Sequence, residues 1–319
     1  NAIHGFSQML EKTLREERPT HIAVVFDSGE PSFRNEIFPE YKATRDAPPE
    51  ELTEQVPKIH ELVRCFRIPV LIPRAVEADD VIATLSRRAV EAGFDVRIIS
   101  GDKDLMQLVS DRVELFEPMK GKRFDAAGVE GFEKLLVPPE QVRDALALAG
   151  DSSDNVPGVR GVGPKKAAKL LKDFGDLEGV LEAAKAGKVK GKMGETLAAS
   201  EEDARLSRRL VTLVDDVELE AVSSLEELRY PGPDKDALRD LYRRYEFRRT
   251  APRLGDEPEE LEPPSAPEVS GPAAAGVEIE RDRYRAPQDA EALAEAAEAL
   301  EGAERVGVSI ETSSLRILD

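Results

Sequence analysis

The stretch VEADDVIATLSRRAVEAGFDVRIISGDKDLMQLV (76–109) decides the fold class. Residues 78–92 carry apolar side chains at helical spacing, and Gly93 ends the segment, which predicts an amphipathic helix. DVRII (95–99) is a short β-branched apolar run followed by Ser-Gly-Asp, which predicts a buried strand. Upstream, HIAVVF (21–26) ends at Asp27 and predicts another strand. Residues 53–66 place Val56, Ile59, His60, Val63 and Cys65–Phe66 at roughly helical spacing, and VELF (113–116) predicts a third strand. Strands alternating with helices imply an α/β fold with a mostly parallel central sheet flanked by helices.

After Pro138 the pattern changes. Helices are predicted over 139–149, 164–174, 176–186, 201–214 and 234–247, with Gly or Pro between most of them. Residues 1–137 are thus expected to form an α/β core and 138–250 an all-α subdomain. Residues 251–280 are rich in Pro, Glu and Ala without periodicity, the composition of a linker. A helix over 288–301 and a strand over 305–310 make 281–319 the expected truncated start of a further domain.

The 319 residues hold 45 Lys and Arg against 64 Asp and Glu, a net charge of −19. Residues 251–319 alone hold 17 acids and 6 bases, so the rest is far closer to neutral and nucleic acid stays open as a partner. No run approaches the ~18 apolar residues of a membrane span, and no secretion leader opens the chain, so a cytoplasmic setting is expected. One cysteine, Cys65, excludes an internal disulfide framework and a Cys-based zinc site. His4, His21 and His60 lie far apart and show no metal-ligand spacing. Any metal must be held by oxygen, which favours Mg²⁺ or Mn²⁺ over zinc or copper.

Four acidic clusters stand where elements begin or end: Asp27, then Glu77-Ala78-Asp79-Asp80, then Asp102-Lys103-Asp104, then Asp151-Ser152-Ser153-Asp154. In open α/β sheets ligands sit beyond the carboxyl ends of the strands, where Asp27 and the Asp102/Asp104 pair both fall. Three-residue spacing puts Glu77 and Asp80 on one side of a helical turn and points Asp79 elsewhere. Any single cluster is compatible with a helix cap or a turn. Their conjunction predicts one cavity, and so many carboxylates converge only around cations, because like charges raise each other's pKa. Two Mg²⁺ ions about 3.5–4 Å apart would neutralise them and suit phosphodiester hydrolysis. Residues 158–171 (GVRGVGPKKAAKLL) hold Arg160, Lys165, Lys166 and Lys169 and no acid, and Gly161-Val162-Gly163 would let a phosphate approach the following helix N-terminus.

Four stretches together resemble the 5′-nuclease family, and within it the amino-terminal 5′→3′ exonuclease domains of bacterial DNA polymerases. They are VVFDSGEPSFRNEIFPEYKATRDAPPEEL (24–52), VEADDVIATL (76–85), IISGDKDLMQLV (98–109) and LAGDSSDNVPGVRGVGPKKAAKLL (148–171). The resemblance covers about residues 1–250. It implies a PIN-like nuclease core followed by a helix-hairpin-helix subdomain. It also implies a metal site for two Mg²⁺ or Mn²⁺ at Asp27, Glu77, Asp79, Asp80, Asp102, Asp104, Asp151 and Asp154. One ion would take Asp27, Glu77 and Asp79 and the other Asp79, Asp102, Asp104 and Asp154, with Asp80 and Asp151 in supporting positions. The segment after Asp27 would form a helical arch, with Lys42 and Arg45 approaching the scissile phosphate and Arg34 and Tyr41 contacting DNA. Arg160, Gly161, Gly163, Lys165, Lys166 and Lys169 would grip the duplex backbone, with a K⁺ ion at the hairpin.

The implied partner is DNA with 5′ flaps, nicks or RNA primers, cut by a monomer at the nucleoid without membrane attachment. Two rivals are a stand-alone flap endonuclease and a non-catalytic DNA-binding module. The family's pattern opens with a strand bearing a further metal-ligand Asp upstream of Asn1, so the chain as written is expected to be a fragment, nearly inactive and less stable. Residues 306–315 (VGVSIETSSL) resemble the first strand of a 3′→5′ proofreading domain, with Ser309 where the first acid is expected.

Overall fold

The computed structural model describes residues 2–219 and 221–247. The linker expected over 251–280 and the further domain expected over 281–319 lie outside the described residues.

The chain opens with α1 (Ala2–Glu17), a helix that the sequence analysis did not anticipate; its buried residues Ile3, Ser7, Leu10 and Thr13 recur every three or four positions. β1 (Val24–Val25) follows, then the short helices α2 (Phe33–Ile37) and α3 (Glu50–Thr53), and α4 (Val56–Cys65). β2 (Val70–Leu71) pairs in parallel with β1, Val24 opposite Val70 and Val25 opposite Leu71. The six-residue strand expected at 21–26 contracts to two residues because its partner is bounded by Pro69 and Pro73, which offer no N–H to a ladder.

α5 (Ala78–Glu91) then crosses to β3 (Val96–Ile99), with Gly93 at φ +88° closing the helix. β3 runs parallel to β4 (Val113–Glu117), and β4 pairs antiparallel with β5 (Lys122–Phe124). The expected parallel pairing is present, but in two ladders, β1–β2 and β3–β4–β5. β5 is antiparallel because the connection is a tight turn through Gly121 at φ +61°, too short for a crossover.

The helical part follows α6 (Ala126–Glu130). α7 (Val142–Ala149) is its axis, with Val142, Ala145, Leu146, Ala147 and Leu148 all buried. Around α7 lie α8 (Pro164–Phe174), α9 (Leu177–Lys185), α10 (Lys192–Ala199) and α11 (Glu201–Val211). One apolar cluster runs from Ile98 and Leu115 on the sheet through α7 to Leu171, Leu181 and Leu210, so the sheet and the helices share a core.

α12 (Lys235–Arg244) departs from its place in the sequence. Its Leu238, Leu241 and Tyr242 bury with Ile3, Leu10, Ile59 and Leu62 of α1 and α4, not with the other late helices. An apolar stripe records that a helix face is covered, and says nothing of which partner covers it.

Candidate active site

Asp27 stands just beyond β1, and its Oδ1 accepts a hydrogen bond from Ala78 N (2.8 Å), at the first turn of α5. Glu77 is the N-cap of that helix, and the Asp80 side chain accepts from Glu77 N (3.1 Å), closing a capping box. Negative groups are favoured there by the helix dipole.

Glu77 has the extended dihedrals of a cap (φ −94°, ψ 159°), yet it and Asp80 meet on one side of the helix start, where Arg34 Nη1 stands 3.5 Å from Glu77 Oε2 and 2.7 Å from Asp80 Oδ2. Asp80 itself turns inward. Asp80 is fully buried, and both its oxygens are taken by Arg34 at 2.7 and 2.8 Å. Val214 N donates to it as well, at 2.9 Å. No lone pair is left pointing at a cation, so Asp80 is a positioning residue and not a metal ligand. Arg34, only 1% exposed, spends its remaining donors on the carbonyls of Leu210 (2.7 Å) and Thr212 (3.0 Å). Its expected DNA contact is therefore corrected: the guanidinium ties α2, α5 and the end of α11 together. A buried charge pair of this kind is held by geometry, since each partner must offset the other's lost hydration.

Tyr41 is corrected likewise. It is 5% exposed, and its hydroxyl lies 3.2 Å from Glu77 Oε2 and 3.3 Å from Asp154 Oδ2. Burial, then the neighbouring Glu77 and Asp154 charges, push the phenol far above its ordinary pKa, so it remains a donor to carboxylates.

Asp79 is the acid of α5 that faces the other clusters. Burial, then the charges of Asp102, Asp27, Asp104 and Glu77, push its carboxyl from 3.8 up to about 7. Asp104 is pushed up to about 6 by burial, with Lys103 pulling the other way and Asp102 and Asp151 adding to the rise. Acids separated by up to 52 positions in the chain, Asp27 and Asp79, thus feel one another.

Cations stand among them. Lys42 Nζ donates to Glu77 Oε1 (2.8 Å) and lies 3.8 Å from Asp154 Oδ2. Arg45 Nη2 donates to Asp154 Oδ1. Lys103 Nζ donates to Asp104 Oδ1 (3.2 Å) and to Asp151 Oδ2. Burial opposes ionisation of Asp151, but the Lys103 hydrogen bond and charge outweigh it and hold that carboxyl below its ordinary value. Among the described residues no three acids form a ready-made cation cage; ammonium and guanidinium groups occupy the positions between them. The same region opens as a cleft of about 210 Å³ lined by Arg45, Asp102, Lys103, Asp104, Asp151 and Asp154. Lys120 and Lys134 also line it. The sequence analysis assigned no role to Lys103, Lys120 or Lys134. Lys103 carried a signal, a cation flanked by two acids; the other two lie in segments without any motif.

Loop 150–158 joins this cleft to the basic hairpin. Asp151 and Val156 exchange backbone hydrogen bonds of 3.0 and 2.7 Å. Gly150 (φ +72°) and Gly158 (φ +61°) meet so closely that a Cβ on Gly158 would stand 2.4 Å from Gly150 N. Beyond the clasp, Gly161 turns at φ +79°, Gly163 caps α8, and Pro164 opens the helix. Arg160, Lys165, Lys166 and Lys169 are exposed. Lys166 Nζ bonds Gly161 O at 2.7 Å, whereas Arg160, Lys165 and Lys169 have no ion-pair partner among the described residues.

Residues 1–134 match the N-terminal resolvase-like domain of the 5′-3′ exonucleases, and residues 137–236 match their C-terminal SAM-fold domain. The chain belongs to the 5′-3′ exonuclease family. It is 42% identical over 271 residues to a DNA polymerase I of Bacillus caldotenax, across 83% of this chain and 30% of that protein. It is 48% identical over 226 residues to a DNA polymerase I of Rhizobium leguminosarum, across 69% of this chain and 22% of that protein. The chain thus spans less than a third of these relatives. Among solved structures, T5 5′-exonuclease with bound zinc superposes with a TM-score of 0.56 at 24% identity, across 76% of this chain and 89% of that one. That likeness places the fold of the 5′-3′ exonuclease chain, a PIN-type α/β domain followed by a SAM-like helical one. Among the described residues no helix is long and apolar enough to cross a membrane.

Proposed function

We propose that this chain is the 5′→3′ exonuclease and 5′-flap endonuclease region of a DNA polymerase I. It acts as a monomer in the cytoplasm at the nucleoid, on DNA with 5′ flaps, nicks or RNA primers, in primer removal and nick translation. The observation that carries the reading is that acids from four segments are neighbours in turn: Asp79 is pushed up to about 7 by burial and by Asp102, Asp27, Asp104 and Glu77, Asp104 feels Asp151, and Lys42 stands 2.8 Å from Glu77 and 3.8 Å from Asp154. An all-oxygen donor set this crowded fits a hard divalent cation, Mg²⁺ or Mn²⁺. Asp27, Glu77 and Asp79 would hold one ion, and Asp79, Asp102, Asp104 and Asp154 a second. Bound there, such ions lower the pKa of a water and neutralise charge on the phosphate oxygens.

The chain's own groups do the rest. Arg45 lines the cleft and Lys42 pairs with Glu77 beside it; neither side chain is fully buried, so both could meet a phosphate where negative charge grows. Arg160, Lys165 and Lys169 offer free cations to a duplex backbone, which carries affinity without sequence preference. A K⁺ at this hairpin would take carbonyl oxygens of the kind that Lys166 takes at Gly161.

The test is cleavage of a 5′-flapped duplex in Mg²⁺, by this chain and by the same chain extended upstream of Asn1. Cleavage that falls on the order of 10³-fold in Asp104→Asn is expected, the size of several kcal/mol of charge stabilisation. Unchanged cleavage in both Asp79→Asn and Asp104→Asn would remove the metal cleft from the mechanism.

A further inference from the structure

We propose that Lys103 is an internal counter-cation of the second metal position, which holds Asp104 and Asp151 together until a divalent ion displaces it. The inference rests on the two-metal reading above and assigns a role to a residue outside the acid set.

The ammonium bridges two carboxylates that lie 47 positions apart in the chain. Asp104 opens the 3-10 turn Asp104–Leu108 after β3, and Asp151 opens the clasped loop after α7. Asp151 is fixed from its other side, since Ser153 N donates to its Oδ1 at 2.8 Å. Lys103 is therefore the free-moving member of the trio, on a flexible four-carbon stem that is 25% exposed and lines the cleft. The ammonium on Asp104 Oδ1 and a divalent ion on the same carboxylate carry like charges a few ångströms apart in a partly desolvated cleft, so the occupancy of one opposes that of the other.

Two consequences follow from this geometry. Without metal, Lys103 offsets the repulsion among Asp102, Asp104 and Asp151, so the loop carrying Asp151 and Asp154 is already in place when an ion arrives. With metal, the ammonium leaves Asp104 and stays in the cleft. Lys103 is thus a positioning residue whose occupancy opposes that of the ion.

The decisive experiment measures Mn²⁺ binding in the absence of DNA, by electron paramagnetic resonance of the free ion, for wild type, Lys103→Met and Lys103→Arg. Loss of the competitor in Lys103→Met is expected to tighten the weaker Mn²⁺ site about tenfold, with Lys103→Arg close to wild type. Nitrogen-15 NMR of the lysine ammonium groups in the wild-type chain is the second arm and needs no folded variant. The Lys103 resonance is expected in the metal-free protein and should shift or vanish at saturating Mg²⁺. A Lys103 resonance that Mg²⁺ leaves in place overturns the proposal, as does a Lys103→Met variant that binds Mn²⁺ no more tightly. If the wild type binds no Mn²⁺ at all, the two-metal reading falls too, which separates that failure from failure of the lysine's role alone.

Discussion

The acid cleft and the basic hairpin lie at the two ends of one loop, yet they treat charge in opposite ways. In and around the cleft many charges have an internal partner: Lys42 with Glu77, Arg45 with Asp154, Lys103 with Asp104 and Asp151, and, behind its wall, Arg34 with Asp80. On the hairpin Arg160, Lys165 and Lys169 are exposed and make no such pair among the described residues. The difference follows from burial. A partly desolvated carboxylate must be neutralised or lose its charge, whereas an exposed lysine keeps its hydration until a phosphate arrives. The cleft is thus organised before any ligand binds, and the hairpin supplies attraction that depends on the ligand and on salt.

The largest break in this contrast should come from Arg34→Met. It leaves Asp80 charged, fully buried and without its two shortest hydrogen bonds, which costs about 3–5 kcal/mol. Urea unfolding would measure it, and Arg34→Met combined with Asp80→Leu should recover much of the loss. A loss from Arg34→Met within experimental error would mean that the pair does not hold the cleft wall.

A smaller effect is expected at the loop that joins the two regions. Gly158→Ala forces a methyl group against Gly150 N at a positive φ, an overpacking cost of about 1–3 kcal/mol. Because the clasp carries Asp151 and Asp154 on one side and Arg160 on the other, the variant should weaken Mn²⁺ binding and DNA binding together. Loss of only one would show that the two regions are positioned independently.

The smallest change is on the hairpin. Lys165→Ala should leave the unfolding transition where it is and weaken binding to a duplex roughly tenfold at 0.1 M salt, by the removal of one phosphate contact. The salt slope should fall by about one, equally across sequences. Fluorescence anisotropy with two unrelated duplexes checks this, and a sequence-dependent loss would contradict backbone gripping.

Much of the fold was legible because periodicity is a local property. The helix expected over 164–174 is observed over that range, and the strand expected over 95–99 is observed over Val96–Ile99. α1 and α10 escaped because their stripes are diluted by Gly5 in one and by Lys192 and Gly194 in the other. β5 escaped because KRF has no apolar alternation. At the site, the acids Asp27, Asp79, Asp102, Asp104, Asp151 and Asp154 carried a signal in their type and in their places at element ends. Arg34, Tyr41 and Asp80 were misassigned for one shared reason: polarity in sequence does not tell a buried, satisfied group from an exposed one.

The sequence by itself determined which residues could take part: the acids at element ends, the glycine turn before a run of lysines, and the alternation of strand and helix. These depend on near neighbours in the chain and on residue chemistry. Only the tertiary structure decided that Asp79 meets the charges of Asp27, Asp102 and Asp104 while Asp80 turns to Arg34, that α12 returns to α1 and α4, and that Lys103 bridges Asp104 to Asp151. Each depends on contacts between segments far apart in the chain, where burial, not spacing, determines which charge meets which.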